Sequence, residues 1–343
     1  MSDDIIIWGD VHCGVRGGSV QHATYQIKCA NEMVDYAVAN DIKTILQLGD
    51  LFDVRKATDH RVLDMWKRHF FNRLEYFEIN LITLLGNHDL FYKTTLEVNS
   101  QTLMLSEYGN ITTIDTPTVL RFGKFSFLVC PWIIDYSEYQ DRIKNSKADF
   151  FAGHMEFAGF EMHKGMPANH GIESNDFGHF KTVFTGHYHT QNKKNNIFYI
   201  GNASELSWME AGDAKGFHVF DSESGKTKFI ENSTTIFNKI EYNDKEDIIH
   251  QKDLKDTYVK VIVINKTDPK KFDSFIDKIQ MQITLDLKIV DIENNFEIDD
   301  EDSLDFADTK SLIGSYVDNV ETTLKKDKIK SMLQSLYVLS LEV

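Results

Sequence analysis

The segment Ile5-Ile6-Ile7-Trp8-Gly9-Asp10-Val11-His12 decides how the rest of the chain is read. Its apolar run has the length and residue types of a strand buried on both faces. A glycine follows, which lets the backbone turn sharply and keeps bulk away. Then come an Asp and a His two positions apart, a spacing that at a strand end sends both side chains to one face. The pattern recurs downstream. Apolar runs at 44–48, 81–85, 150–152 and 182–185 lead into Gly49-Asp50-Leu51-Phe52-Asp53, Gly86-Asn87-His88-Asp89, Gly153-His154 and Gly186-His187-Tyr188-His189. Similar runs stand at 125–130, 198–200 and 217–220, and helix-like stretches at 24–40, 58–77 and 95–108 lie among them. Strands alternating with helices predict an α/β domain, and the polar segments begin where its strands stop, the end at which open α/β sheets bind ligands.

The residue types specify the chemistry. Four imidazoles (His12, His154, His187, His189), two carboxylates (Asp10, Asp50) and the amide oxygen of Asn87 form a mixed N and O set without thiolate. Such a set suits Mn, Fe or Zn better than Mg. Seven donors are too many for one ion, whereas two ions sharing a carboxylate use them all and leave places for water and a phosphate. Two divalent ions keep a positive surplus over two carboxylates, so an acidic protein can still hold a phosphodiester there. A pair roughly 3.5–4 Å apart activates water and stabilises both the attacking and the leaving oxygen. His88 is expected to protonate the leaving oxygen, with Asp89 orienting its ring. A lone Gly-Asn-His-Asp is a weak signal, since Gly and Asn also supply positive φ in ordinary turns. Five such segments in order at strand ends point to one dinuclear site. The other histidines read as surface or core residues, although His163 and His170 share with Lys164 a loop that can face substrate.

With 343 residues and 42% hydrophobic content, the chain predicts one large domain and something smaller. No apolar run approaches the roughly 18 residues that cross a bilayer, and the acidic start is unlike a signal peptide, which predicts a cytoplasmic protein. Cys13, Cys29 and Cys130 are scattered, odd in number and lack CxxC spacing, so they read as buried thiols; Cys13, beside the first motif, is the one candidate for a catalytic thiol. The formal charge of -16 argues against nucleic acid only weakly, because nine acids and no Lys or Arg fall within 291–309. The boundaries expected are a main domain over 1–236, a small α+β unit over 237–296 and an acidic linker over 297–309. In the small unit, strands are expected at 258–264 and 283–292 around a helix at 269–281. Residues 310–343 carry apolar positions at helical spacing and read as helices laid against a partner.

These motifs resemble the calcineurin-like metallophosphoesterases, over roughly residues 5–205. The serine/threonine phosphatases of that superfamily carry Gly-Asp-x-Val-Asp-Arg-Gly and Gly-Asn-His-Glu, and neither stands here. Asp10-Val-His12-Cys-Gly14, Gly49-Asp-Leu-Phe-Asp53 and Gly86-Asn-His-Asp89 are similar to the nuclease subunit of SbcCD-type recombination and repair complexes, above all its phage version. The resemblance implies a two-sheet sandwich flanked by helices, a capping domain that contacts DNA, and a C-terminal segment docked on a coiled-coil ATPase like SbcC. It assigns one metal to Asp10, His12, Asp50 and His189, the other to Asp50, Asn87, His154 and His187, and the catalytic role to His88. It further implies two Mn²⁺, a homodimer within a heterotetramer, no membrane, and the host cytoplasm if the gene is a phage's. Candidates for DNA contact are Asp53, where cellular members usually have His, with Lys164 and His170. Rival readings are a phosphomonoesterase or cyclic-nucleotide phosphodiesterase of the same superfamily, and a metal-free scaffold subunit.

Overall fold

A computed structural model of the chain describes residues 2–163, 166–168, 170–245 and 253–291, with scattered positions between 317 and 333. In it the opening apolar run is part of a strand, Ser2–Trp8. Alternate side chains leave a strand on opposite faces, and here both faces are covered. Ile5 and Ile7 meet Leu46, Leu84, Phe127, Phe150 and Phe220 in a core between two sheets. Ile6 and Trp8 meet Ile27, Val34, Trp66 and Phe70 under the helices on the outer side. A third cluster, with Leu128, Phe151, Phe177 and Tyr199, covers the far face of the second sheet. The molecule is thus the layered sandwich that the sequence leads one to expect.

The first sheet runs Thr227–Glu231, Gly216–Phe220, Ser2–Trp8, Ile42–Gln47, Asn80–Leu84, Ile111–Ile114 from edge to edge. Its last four strands are parallel. The second runs Asn192–Lys194, Ile197–Tyr199, Val183–Gly186, Phe150–His154, Phe125–Cys130, Thr118–Phe122, with the middle four parallel. The helix expected over 24–40 begins earlier, at Val20–Ala39, because Ser19 caps it by accepting from His22 N at 3.2 Å. The stretch 58–77 is helical over 60–76, starts from an Asp59 cap and contains a π turn at Lys67–Phe71. The helix expected over 95–108 shrinks to Ser100–Leu105. Two causes act together: Asn99 caps it by accepting from Thr102 N at 2.8 Å, and Phe91 N and Ser100 N bond Val98 and Asp89 carbonyls, tying the preceding stretch into a loop.

Beyond residue 236 stands a smaller sheet of three parallel strands, Phe237–Asn243, Tyr258–Asn265 and Asp286–Asp291. Only the first was not anticipated. Its helix, Pro269–Gln280, starts with Pro in the first turn and an Asp268 cap, and lays Phe272, Phe275, Ile276 and Ile279 on Tyr242, Val261 and Val263. The unit meets the sandwich through Phe237, Tyr258 and Leu285 against Tyr25, Cys29 and Trp208. The Arg16 guanidinium lies over the Phe237 and Tyr258 rings, 5.6 and 5.2 Å from their centroids. The linker expected over 297–309, and most of 310–343, lie outside the described residues. Among the described residues no helix is long and apolar enough to cross a membrane, and all three cysteines are free and buried.

Candidate metal centre

The five polar segments leave both sheets at one end of the sandwich and converge. Getting there bends the backbone: His12, Asp50 and His187 have φ of 52°, 51° and 89°, the left-handed region that side chains with a Cβ rarely adopt. Each such residue costs on the order of 1–3 kcal/mol and persists only where its surroundings fix it. Here they do. Val11 N and His12 N both donate to the Asp50 carbonyl at 3.0 Å, and His187 N donates to the Asp10 carboxylate at 3.0 and 3.2 Å. Gly86 and Gly186 are required by close approach, since a Cβ would stand 2.2 Å from Asp50 Oδ1 and 2.4 Å from Asp10 Oδ1 respectively.

Two donor sets result. Donor atoms of Asp10, His12 and His189 lie within 4.8 Å of one another, as do those of Asp50, His154 and His187. Asn87 Oδ1 joins the second set, 3.1 Å from both His154 Nε2 and His187 Nδ1. Asp50 Oδ2 lies 3.2 Å from His154 Nε2 and 3.8 Å from His12 Nε2, so it is placed between the sets. The rings are oriented from behind. His12 Nδ1–H donates to Asp53 Oδ1 at 3.1 Å, His154 Nδ1–H to the Leu48 carbonyl at 2.7 Å, and His189 Nδ1–H to Glu210 Oε1 at 3.0 Å. Each bond leaves Nε2 with its lone pair aimed inward. His12 Nε2 and His189 Nε2 face each other at 3.2 Å, and with each Nδ1 turned to a carboxylate the pair is satisfied by a shared proton or by a cation. The residues present therefore fit a pair of divalent cations.

His88 also reaches this end, in a cluster with His12 and Asp50. Its backbone N donates to Asp50 Oδ1 at 2.8 Å, and its ring Nδ1–H donates to the Asp53 carbonyl at 2.6 Å, leaving Nε2 for the cleft. Burial, with His12 nearby, holds its imidazole below the ordinary range. Asp89 does not orient that ring, contrary to expectation. It is fully buried and accepts from Phe52 N at 3.0 Å, Gly86 N at 2.9 Å and Gln101 Nε2 at 2.8 Å, so it ties the second motif to the third. Cys13 is buried, and burial with the Asp89 charge pushes its thiol well above its usual range.

A cleft of about 490 Å³ opens over the site, lined among others by Asp50, His88, His187 and His189. His170 lines it too, beside Glu156 at 2.8 Å, whereas Lys164 lies outside the described residues. Sequence reasoning missed Arg55, Lys93 and Trp132 in its walls and Glu210 behind His189. Arg55 had a signal, standing two residues after Asp53; the others share no spacing with a motif.

This geometry, a layered α/β sandwich with clustered His, Asp and Asn donors at its strand ends, is that of a metallophosphoesterase. The chain belongs to the calcineurin-like phosphoesterase family, whose model matches residues 4–191. It is an enzyme of that class, and the family uses a dimetal centre. The chain is 33% identical over 327 residues to exonuclease subunit 1 of Enterobacteria phage T4, covering 94% of this chain and 95% of that protein. Two solved structures are more distant. A dimetal phosphatase from Danio rerio has 10% identity and a TM-score of 0.39, covering 63% of this chain and 91% of its own. The nuclease MPE of Pseudomonas putida has 15% identity and a TM-score of 0.30, covering 66% and 87%.

Proposed function

We propose that this chain is a Mn²⁺-dependent DNA nuclease of recombination and double-strand-break repair, working 3′ to 5′ on duplex and cutting single strands. In this reading it acts in the host cytoplasm, as a homodimer, under an SbcC-like coiled-coil ATPase. The observation that carries it is the pair of donor sets meeting at Asp50 with His88 alongside, in a chain similar along almost its whole length to a phage exonuclease subunit. One metal is assigned to Asp10, His12, Asp50 and His189, the other to Asp50, Asn87, His154 and His187. When bound, the cation pair supplies an activated water and neutralises the phosphoryl oxygens for in-line displacement.

The rest is the protein's. Asp50 fixes the spacing of the two sets and, through His88 N, the place of the third motif. His88, once protonated from solvent at Nε2, gives that proton to the leaving sugar oxygen and returns to the neutral ring, an effect worth typically about 10² to 10⁴ in rate. Arg55 and Lys93 stand in the wall of the same cleft, where a neighbouring phosphate of a longer strand would lie. The three-stranded unit after residue 236 serves as the cap against DNA, and residues 310–343 serve as the docking segment.

Incubation with Mn²⁺ and linear duplex labelled at either end, beside a small phosphomonoester, tests the reading. Mononucleotides released from the 3′ end support it. Turnover of the monoester with intact DNA overturns it in favour of a phosphatase.

A further inference from the structure

We infer that the two cation positions are unequal, with the one at Asp10, His12 and His189 the tighter, because Asp53 and Glu210 place a carboxylate behind each of its histidines. The inference rests on the dimetal reading above. In the other set, His154 gives its Nδ1–H to an uncharged carbonyl, that of Leu48, and His187 turns Nδ1 towards Asn87.

Both carboxylates are built in. Glu210 is buried, and its second oxygen accepts from Asn202 Nδ2 and Leu206 N, each at 2.9 Å, with Lys215 Nζ at 3.4 Å. Lys215 also donates to the His189 carbonyl at 2.9 Å, so the same cluster holds the ligand's ring and its backbone. A buried charge costs several kcal/mol to desolvate and is retained only where it is paired and hydrogen-bonded. Glu210 meets that condition with its remaining oxygen directed at the His189 imidazole. Asp53 Oδ1 lies 3.1 Å from His12 Nδ1, and the Asp53 carbonyl bonds the His88 ring. One residue thus sets the angle of a ligand and of the proposed acid.

An anion on Nδ1–H makes the imidazole a stronger donor, fixes its tautomer and adds negative charge near the cation. Losing such a partner typically costs 10- to 100-fold in metal affinity. Asp53 and Glu210 are therefore positioning residues, and Asp53, considered above as a DNA contact, acts through His12 and His88.

The test is Mn²⁺ titration of the full chain, stripped with chelator, read by loss of the free-ion electron paramagnetic resonance signal. Wild type should take up two ions in separate steps. Asp53→Asn and Glu210→Gln should each weaken the first step about 10- to 100-fold and spare the second. Asn87→Ala should do the reverse. Should Glu210→Gln fail to fold, Asp53→Asn carries the test, since the Asp53 side chain is 22% exposed at the edge of the site. Wild type that binds two ions in equal steps, or variants that leave the first step unmoved, would overturn the inequality alone. Uptake of fewer than two ions would overturn the dimetal reading and this inference with it.

Discussion

His88 and Asp50 lie within one hydrogen bond of each other and yet answer differently to removal. Asp50 is placed between both donor sets, so Asp50→Asn should lose the bound metal and all activity. His88→Ala should keep two ions per chain and lower kcat about 10²- to 10⁴-fold, because only proton delivery is lost. Metal analysis after gel filtration, beside hydrolysis of an activated diester, separates the two; a fully active His88→Ala protein would remove the role assigned to His88. The convergence of Asp10, His12, Asp50, Asn87, His154, His187 and His189, with His88 beside them, was legible in the sequence because strand-end spacing and residue type carry the signal locally. Glu210, the part played by Asp89 and the wall of the cleft were not. Their meaning lies in hydrogen bonds between segments far apart in the chain, such as Asp89 with Phe52 N and Gly86 N.

At the scale of elements, the turn after a strand matters as much as the strand. Asn80–Leu84 ends close to Gly86, whose missing Cβ makes room for Asp50. Gly86→Ala should therefore shift the Asp50 loop and lower metal content below two ions per chain, while far-ultraviolet circular dichroism stays that of the wild type. Retention of two ions would show that the loop has slack. The central strands were readable as unbroken apolar runs, Phe125–Cys130 being buried throughout. Thr118–Phe122 and Thr227–Glu231 escaped because they lie at sheet edges, where polar residues replace the apolar run. The stretch 95–108 misled for a different reason. Its apolar spacing is helical, but backbone bonds to Asp89 and Val98 claim the first part for a loop.

At the scale of the molecule, the small three-stranded unit has its own core and meets the sandwich through few side chains. Tyr258 is central among them, stacked on Phe237 at 5.4 Å and lying under Arg16. Tyr258→Ala should loosen the joint without touching a metal donor. Hydrolysis of a small diester is expected to stay within about twofold of wild type while cleavage of long duplex falls about tenfold or more, as loosely joined domains predict. Equal losses on both substrates would show that the unit supports the metal centre rather than a long substrate.

The donors come from both sheets: Asp10, His12, Asp50 and Asn87 from the first, His154, His187 and His189 from the second. A cation pair held by these residues would therefore be a clasp across the seam of the sandwich. Losing it should let one end of the seam gape while the phenylalanine packing around Phe127 and Phe220 holds the middle shut. Hydrogen exchange would record this as faster amide turnover at the last residues of Ser2–Trp8 and Val183–Gly186 in chelator than in Mn²⁺. Calorimetry should show the same clasp as added stability, about 2.7 kcal/mol when free Mn²⁺ stands a hundredfold above its dissociation constant. Ions held by these residues for hydrolysis would then also be fasteners of the fold.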